Sequence, residues 1–414
     1  MVFIFILLIF FLVVFIKKDN VTYSILILLN LVTLFFQFLI GRSFEYESYK
    51  TVLNTFFICI NIYLIIKPWS YAKILSIDNS NFKFFIYFKK ILYKLLFINL
   101  IVNLVILVVV LVYLPDIAAF KSESAYLNLY EQIPYFANIF RYAYTTQNAG
   151  YLAIPIFYYH LGKFQKKKAF YAFLFSSSSL ISGIAFYSRA QIFTFTLIFI
   201  IYFFLVKKTL PQFIQYKVLK VAKYTSICIV VLFLSITYIR FTSMDYYGDR
   251  IPQTSLIKDP VIYSLFDYAS QSYSNGLHQL EVYTEDKSLK GEQFFRDIYQ
   301  ILNFFGVLKW DVKESQELID KAYNYDGGAF NGYTTPLVFN FGYILTFLIS
   351  FFYFVSTKIM LQNKSIKSLK SMLFLVLLLF IPSVSIFYTG YVLLLFPSLL
   401  LGLCIFTFPL KRIV

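Results

Sequence analysis

Repeated apolar runs of bilayer length constrain this chain more than anything else in it. Stretches such as 21–40, 95–114 and 336–357 are almost free of charge and long enough to cross a hydrocarbon core. In lipid the backbone must satisfy its own hydrogen bonds, so such runs fold as helices or as strands of closed barrels. These runs are too long and too evenly apolar for barrel strands, which alternate. The reading is an all-α polytopic membrane protein. The composition agrees: 59% of residues are hydrophobic and the mean hydropathy is +0.71, where a soluble domain has about 45–50% apolar residues.

About eleven spans are expected, at roughly 2–16, 21–40, 51–66, 95–114, 146–161, 169–187, 191–206, 224–243, 336–357, 371–387 and 390–408. Three regions follow. Residues 1–243 hold the first eight spans and an outer loop at 115–145. Residues 244–335 form one large polar loop outside the cytoplasm. Residues 336–414 hold the last three spans. The N-terminal run lacks a basic leader and a small-residue cleavage site, so it reads as a retained helix. Within the large loop, 261–283, 292–305 and 314–323 carry apolar residues at helical spacing. They read as short amphipathic helices over the bundle mouth, too small for a core of their own.

The net charge of +16 does not imply nucleic acid, because topology divides it. With the N-terminus outside, the segments facing the cytoplasm carry 23 Lys and Arg against 2 acids, and the outer segments carry 14 against 19. Basic residues retained on the cytoplasmic side favour this orientation, with the C-terminus inside. The expected location is a membrane crossed many times.

The arginines break this pattern. Arg42, Arg141, Arg189, Arg240, Arg250 and Arg296 all fall on the outer side, and only Arg412 falls inside. Orientation alone does not separate arginine from lysine. A planar, permanently charged fork matches phosphate and carboxylate, so the outer face reads as built to hold an anion. Pairing with nearby acids is the plainer alternative. Arg189, in the tight turn Ser188-Arg189-Ala190, leads the candidates for anion binding. Arg240 and Arg250 come next, then Arg141 and Arg296.

Signatures of soluble enzymes are missing from the sequence. There is no phosphate-cradling Walker loop, no dinucleotide glycine pattern, no HExxH and no DxD pair. The two histidines, His160 and His278, are far apart, and Cys59, Cys228 and Cys404 all sit in apolar runs. No metal and no cofactor is therefore expected. The spans hold amides such as Asn30, Asn61, Asn99 and Asn103 but almost no acids, which weighs against ion-coupled transport.

The large loop ends in Gly327-Gly328-Ala329-Phe330-Asn331-Gly332-Tyr333-Thr334-Thr335-Pro336-Leu337-Val338-Phe339-Asn340-Phe341-Gly342. This stretch, the Ser188-Arg189-Ala190 turn, and the architecture as a whole resemble the Wzy-type oligosaccharide repeat-unit polymerases of O-antigen and capsule. The family pattern often has Asp where this chain has Asn340.

The resemblance implies a membrane glycosyltransferase. It would move a growing glycan from undecaprenyl diphosphate to a sugar hydroxyl of a new lipid-linked unit, releasing undecaprenyl diphosphate. Its partners would be the undecaprenyl-diphosphate-linked oligosaccharide and membrane lipid; a chain-length regulator protein is a possible third. The arginines would stabilise the departing diphosphate without a metal. A general base would accept the hydroxyl proton, and His278, Glu281 and Asp267 are the candidates. His278 and Glu281 are three residues apart, on one face if the stretch is helical. Asn331, Tyr333 and Thr334 are candidate sugar or headgroup contacts, with turn formation and helix capping as the plainer reading. Asn340, an amide, can position a substrate but cannot be the base, and an Asp there should keep activity. An O-antigen ligase is the alternative enzyme, a polysaccharide flippase the alternative transporter, and a structural role the last reading.

Overall fold

The computed structural model describes residues 20–41, 49–72, 76–78, 82–113, 145–185, 188–242, 251–304, 306–323, 330–362 and 366–408, together with positions 6, 10 and 143. Among them the fold is helical apart from one three-residue parallel ladder. The helices are α1 (Val21–Leu39), α2 (Tyr49–Ile66), α3 (Phe82–Tyr113), α4 (Ala153–Gly162), α5 (Lys166–Ser176), α6 (Ser178–Ala185), α7 (Arg189–Val206) and α8 (Gln212–Thr242). They continue with α9 (Pro260–Val282), α10 (Arg296–Phe304), α11 (Val312–Ala322), α12 (Thr334–Gln362), α13 (Leu369–Val384) and α14 (Tyr391–Thr407). Among the described residues, five stretches are long and apolar enough to cross a membrane: Val21–Leu39, Tyr49–Tyr71, Lys83–Val109, Ala190–Thr209 and Thr334–Gln362. The chain is a helical, membrane-embedded protein.

Two compact units divide the chain. The first comprises Met1–Lys73, Tyr246–Asn363 and Leu378–Leu395. Here α1 begins at Asn20, whose side chain accepts from the Thr22 and Tyr23 amides while its Nδ2 donates to the carbonyls of Trp69 and Ala72. One residue thus caps a helix and fastens it to the turn after α2. Two of the amides noted in the spans, Asn30 and Asn61, are satisfied in the same economical way. Asn30 and Asn61 donate to carbonyls four residues back, at 2.8 Å each. Their oxygens accept from Tyr273 and from Ser350 on other helices. Polar groups buried in lipid must find such partners.

Helix α12 is two helices in series. Gly342 interrupts it at φ 75°, ψ 175°, a region that only glycine occupies without strain. The first piece, Thr334–Phe341, carries the motif residues. The second exposes Ile344, Leu345, Phe351 and Phe352 in the manner of a lipid-facing surface.

The second unit comprises Ile74–Asp245, Lys364–Leu377 and Phe396–Val414. Strands β1 (Ser76–Asp78) and β2 (Ile366–Ser368) pair in parallel within it. Two expectations change here. Helix α3 starts at Phe82, well before the span expected at 95–114, and takes in Lys83, Lys89, Lys90 and Lys94. The span expected at 169–187 is split into α5 and α6 at Ser177. The Ser176 and Ser177 hydroxyls each donate to a carbonyl three residues back at 2.7 Å, and such local bonds compete with the helix ladder. Most of the expected span at 2–16 and most of the outer loop at 115–145 lie outside the described residues.

Candidate functional site

The polar stretch forms its expected helices at α9, α10 and α11. Asp259 caps α9, accepting from the Ile262 amide at 2.8 Å, and Pro260 opens it. Asp311 caps α11 by accepting from Lys313 and Glu314. These helices belong to the first unit, where α9 packs against α1, α2 and α12.

One continuous helix carries all three candidate bases. His278 and Glu281 lie within one turn of α9, both half-buried. Asp267 is only 4% exposed. It sits eleven residues before His278, roughly 16 Å along the axis at 1.5 Å per residue. His278 and Glu281 can therefore share a reacting atom, and Asp267 cannot join them. The end of α9 is held by Lys50, which donates to the carbonyls of Glu281 at 2.5 Å and Tyr283 at 3.3 Å. A cation there satisfies carbonyls that the helix leaves unpaired.

The motif segment is fixed to α9 by close backbone approach. A Cβ on Gly276 would stand 2.7 Å from the Asn331 carbonyl oxygen and 2.9 Å from Thr335 Oγ1. Thr335 donates to the Gly276 carbonyl at 2.9 Å, and Asn275 donates to the Phe330 carbonyl at 3.1 Å. Gly332, at φ 71°, donates its amide to the Phe387 carbonyl at 3.1 Å. Of the candidate contacts, Asn331, Tyr333 and Thr334 are all buried. Tyr333 joins Ser350 at 3.1 Å and Tyr391 at 3.3 Å. The Thr334 hydroxyl makes no hydrogen bond.

Asn340 holds the base of this arrangement. Its Oδ1 accepts from the Phe294 amide at 3.1 Å, and its Nδ2 donates to the Pro336 carbonyl at 2.6 Å and to Gln293 Oε1 at 3.2 Å. Tyr323 also donates to Gln293 Oε1, at 3.0 Å, and hydrogen-bonds Asn331. Asn331, Tyr323, Gln293 and Asn340 are therefore one chain of hydrogen bonds. Burial pushes the Tyr323 phenol well up, against the opposing effect of its Asn331 and Gln293 hydrogen bonds. Burial, then Glu285, also raise Tyr283. Both phenols stay protonated near neutral pH and do not serve as bases.

The Asn340 geometry adds an expected stability cost to the Asp substitution, whose activity is a separate question. A carboxylate would face two acceptors with nothing to donate. Replacing a buried donor by an acceptor in this way costs about 1–3 kcal/mol. Asn340→Asp should lower the thermal stability of the detergent-solubilised protein, measured by fluorescence-detected size exclusion after heating. Wild-type behaviour would exclude this pinning role.

The arginines are distributed between the units. Arg189 and Arg240 fall in the second unit and Arg296 falls in the first. Arg141 and Arg250 lie outside the described residues. The backbones of Arg189 and Arg240 are helical, at the start of α7 and near the end of α8. Arg296 opens α10 and donates to Gln316 Oε1 at 3.3 Å. Among the described residues, no three His, Cys, Asp or Glu side chains gather as a metal site.

No known relative decides the matter. No family model matches this chain, and no curated protein and no solved structure matches it either. The functional reading rests on the residues alone. Sequence reasoning missed Gln293, Tyr323 and Lys50, because their partners are distant in the chain. Gly276 carried a signal, since a glycine inside an amphipathic helix points to close packing.

Proposed function

We propose that the chain is a membrane glycosyltransferase that polymerises lipid-linked oligosaccharide repeat units at the outer face of a bacterial cytoplasmic membrane. The supporting observation is that His278 and Glu281 share one half-buried turn of α9, two residues beyond the glycine that packs on the Asn331–Thr335 segment. That turn offers a base beside the stretch on which the family resemblance rests. An acceptor sugar hydroxyl needs such a group within hydrogen-bond reach. The departing diphosphate needs fixed positive charge, and the arginines sorted to the outer side of the chain offer it without a metal. The reading places eleven spans in the membrane, the N-terminus and the 244–335 loop outside, and the C-terminus in the cytoplasm.

The test is deletion of the gene followed by separation of glycolipids on a gel. A single repeat unit on the acceptor lipid is expected. Full-length polymer accumulating on undecaprenyl diphosphate would instead identify an O-antigen ligase, which uses the same donor. Unchanged glycolipids would remove both enzymatic readings. Single units retained on the cytoplasmic side would point to a flippase.

A further inference from the structure

Beyond the candidate site, the turn that follows α10 presents apolar side chains in an arrangement its local hydrogen bonding makes rigid. The Gly306 amide donates to the Asn303 carbonyl at 3.0 Å, and the Val307 amide donates to the Leu302 carbonyl at 2.9 Å. With Gly306 at φ 70°, this is the Schellman pattern of helix termination. In that pattern the residue after the glycine usually packs back on the last helical turn. Here Val307 is instead 71% exposed and Leu308 37% exposed. The Trp310 amide returns to Asn303 Oδ1 at 3.4 Å, and its indole donates to Glu292 at 2.5 Å. The turn is thus closed on both sides while its two apolar residues point away from the protein. Lys309, between them and Trp310, is exposed.

A row of rings joins this turn to Phe341, at the end of the first piece of α12. Phe341 precedes the exposed apolar run that begins at Ile344, and its ring is 6.2 Å from Phe295. Phe295 lies 6.3 Å from Tyr299, and Tyr299 lies 6.4 Å from Trp310. Aromatic rings with a polar edge collect at the boundary between hydrocarbon and headgroups. The row thus ends three residues before the exposed apolar run of α12, across the break at Gly342.

We propose that the 306–310 turn is a lipid-dipping element. Val307 and Leu308 enter the acyl layer next to α12, Tyr299 and Trp310 lie at headgroup level, and Lys309 reaches the lipid phosphates. The partner is the bilayer surface itself. A second copy of the chain on the same patch is the competing occupant. The inference needs only that the protein is membrane-embedded and holds whatever reaction the protein carries out.

The test is a nitroxide attached at Val307→Cys, in a full-length chain with its native cysteines replaced. The protein is reconstituted in nanodiscs of phosphatidylcholine and phosphatidylglycerol. A label at Lys313→Cys on exposed α11 serves as the aqueous reference. Because Val307 is exposed, the change leaves packing intact. Severalfold lower collision with a water-soluble nickel chelate than the reference, and higher collision with oxygen, are expected. Nickel accessibility equal to that of the reference would overturn the proposal. So would dipolar broadening between Val307 labels of two copies, which would assign the patch to self-association.

Discussion

Valine at position 276 is expected to separate α9 from the head of α12 and to lower the melting temperature markedly. The Cβ of any larger residue meets the Asn331 carbonyl oxygen at 2.7 Å and Thr335 Oγ1 at 2.9 Å. The first of these is backbone, which cannot rotate away. Overpacking of this kind costs about 1–3 kcal/mol. The 2.9 Å bond from Thr335 to the Gly276 carbonyl is strained in the same movement. Alanine separates the causes. It gains up to ~1 kcal/mol of helix propensity over glycine but brings the same Cβ. Alanine should therefore fall between wild type and valine in a thermal denaturation series in detergent. If both variants melt with the wild type, the approach of the two segments is not what holds this junction.

What the sequence discloses and what it hides divide along physical lines. Periodic apolar runs disclose helices well: 21–40 corresponds to Val21–Leu39, 191–206 to Arg189–Val206 and 390–408 to Tyr391–Thr407. The amphipathic stretch 261–283 corresponds to α9 because a cap, Asp259, and Pro260 mark its start. The extension of α3 back to Phe82 was hidden because hydropathy windows exclude lysine, while lysine itself is a good helix former. The interruption at Gly342 was hidden for a different reason. A glycine within an apolar run is tolerated in membrane helices, and only its φ shows the break.

The candidate site shows the same division. Spacing correctly put His278 and Glu281 on one turn, since i and i+3 are neighbours in any helix. It could not show that Asn340 is occupied by Phe294, Gln293 and Pro336. Those bonds join loop to helix across more than forty residues in two of the three cases, and no periodicity encodes them. Spacing also grouped Asp267 with the other two acids and bases on one stretch, where helix rise sets it three turns away.

That separation sharpens the largest functional effect expected of this chain. If the α9 turn supplies the acceptor base, either His278→Gln or Glu281→Gln should lose about 10²–10⁴-fold in polymerisation, the usual contribution of a general base. Glutamine keeps a hydrogen-bonding group of similar reach and removes the basicity. Both side chains are half-buried, so neither change should empty a core position, and the protein should remain in the membrane at wild-type levels. Asp267→Asn gives the contrast. Asp267 is buried three turns away, so its loss should register in thermal stability before it registers in the chemistry. The measurement pairs polymer length in cells carrying each variant with melting of the purified protein. One Gln variant on α9 should be stable and silent, and Asp267→Asn should be less stable. Wild-type polymer from both Gln variants would leave α9 without a base. The search would then move to the acids of the neighbouring outer segments, beginning with Asp245, Asp249 and Glu123.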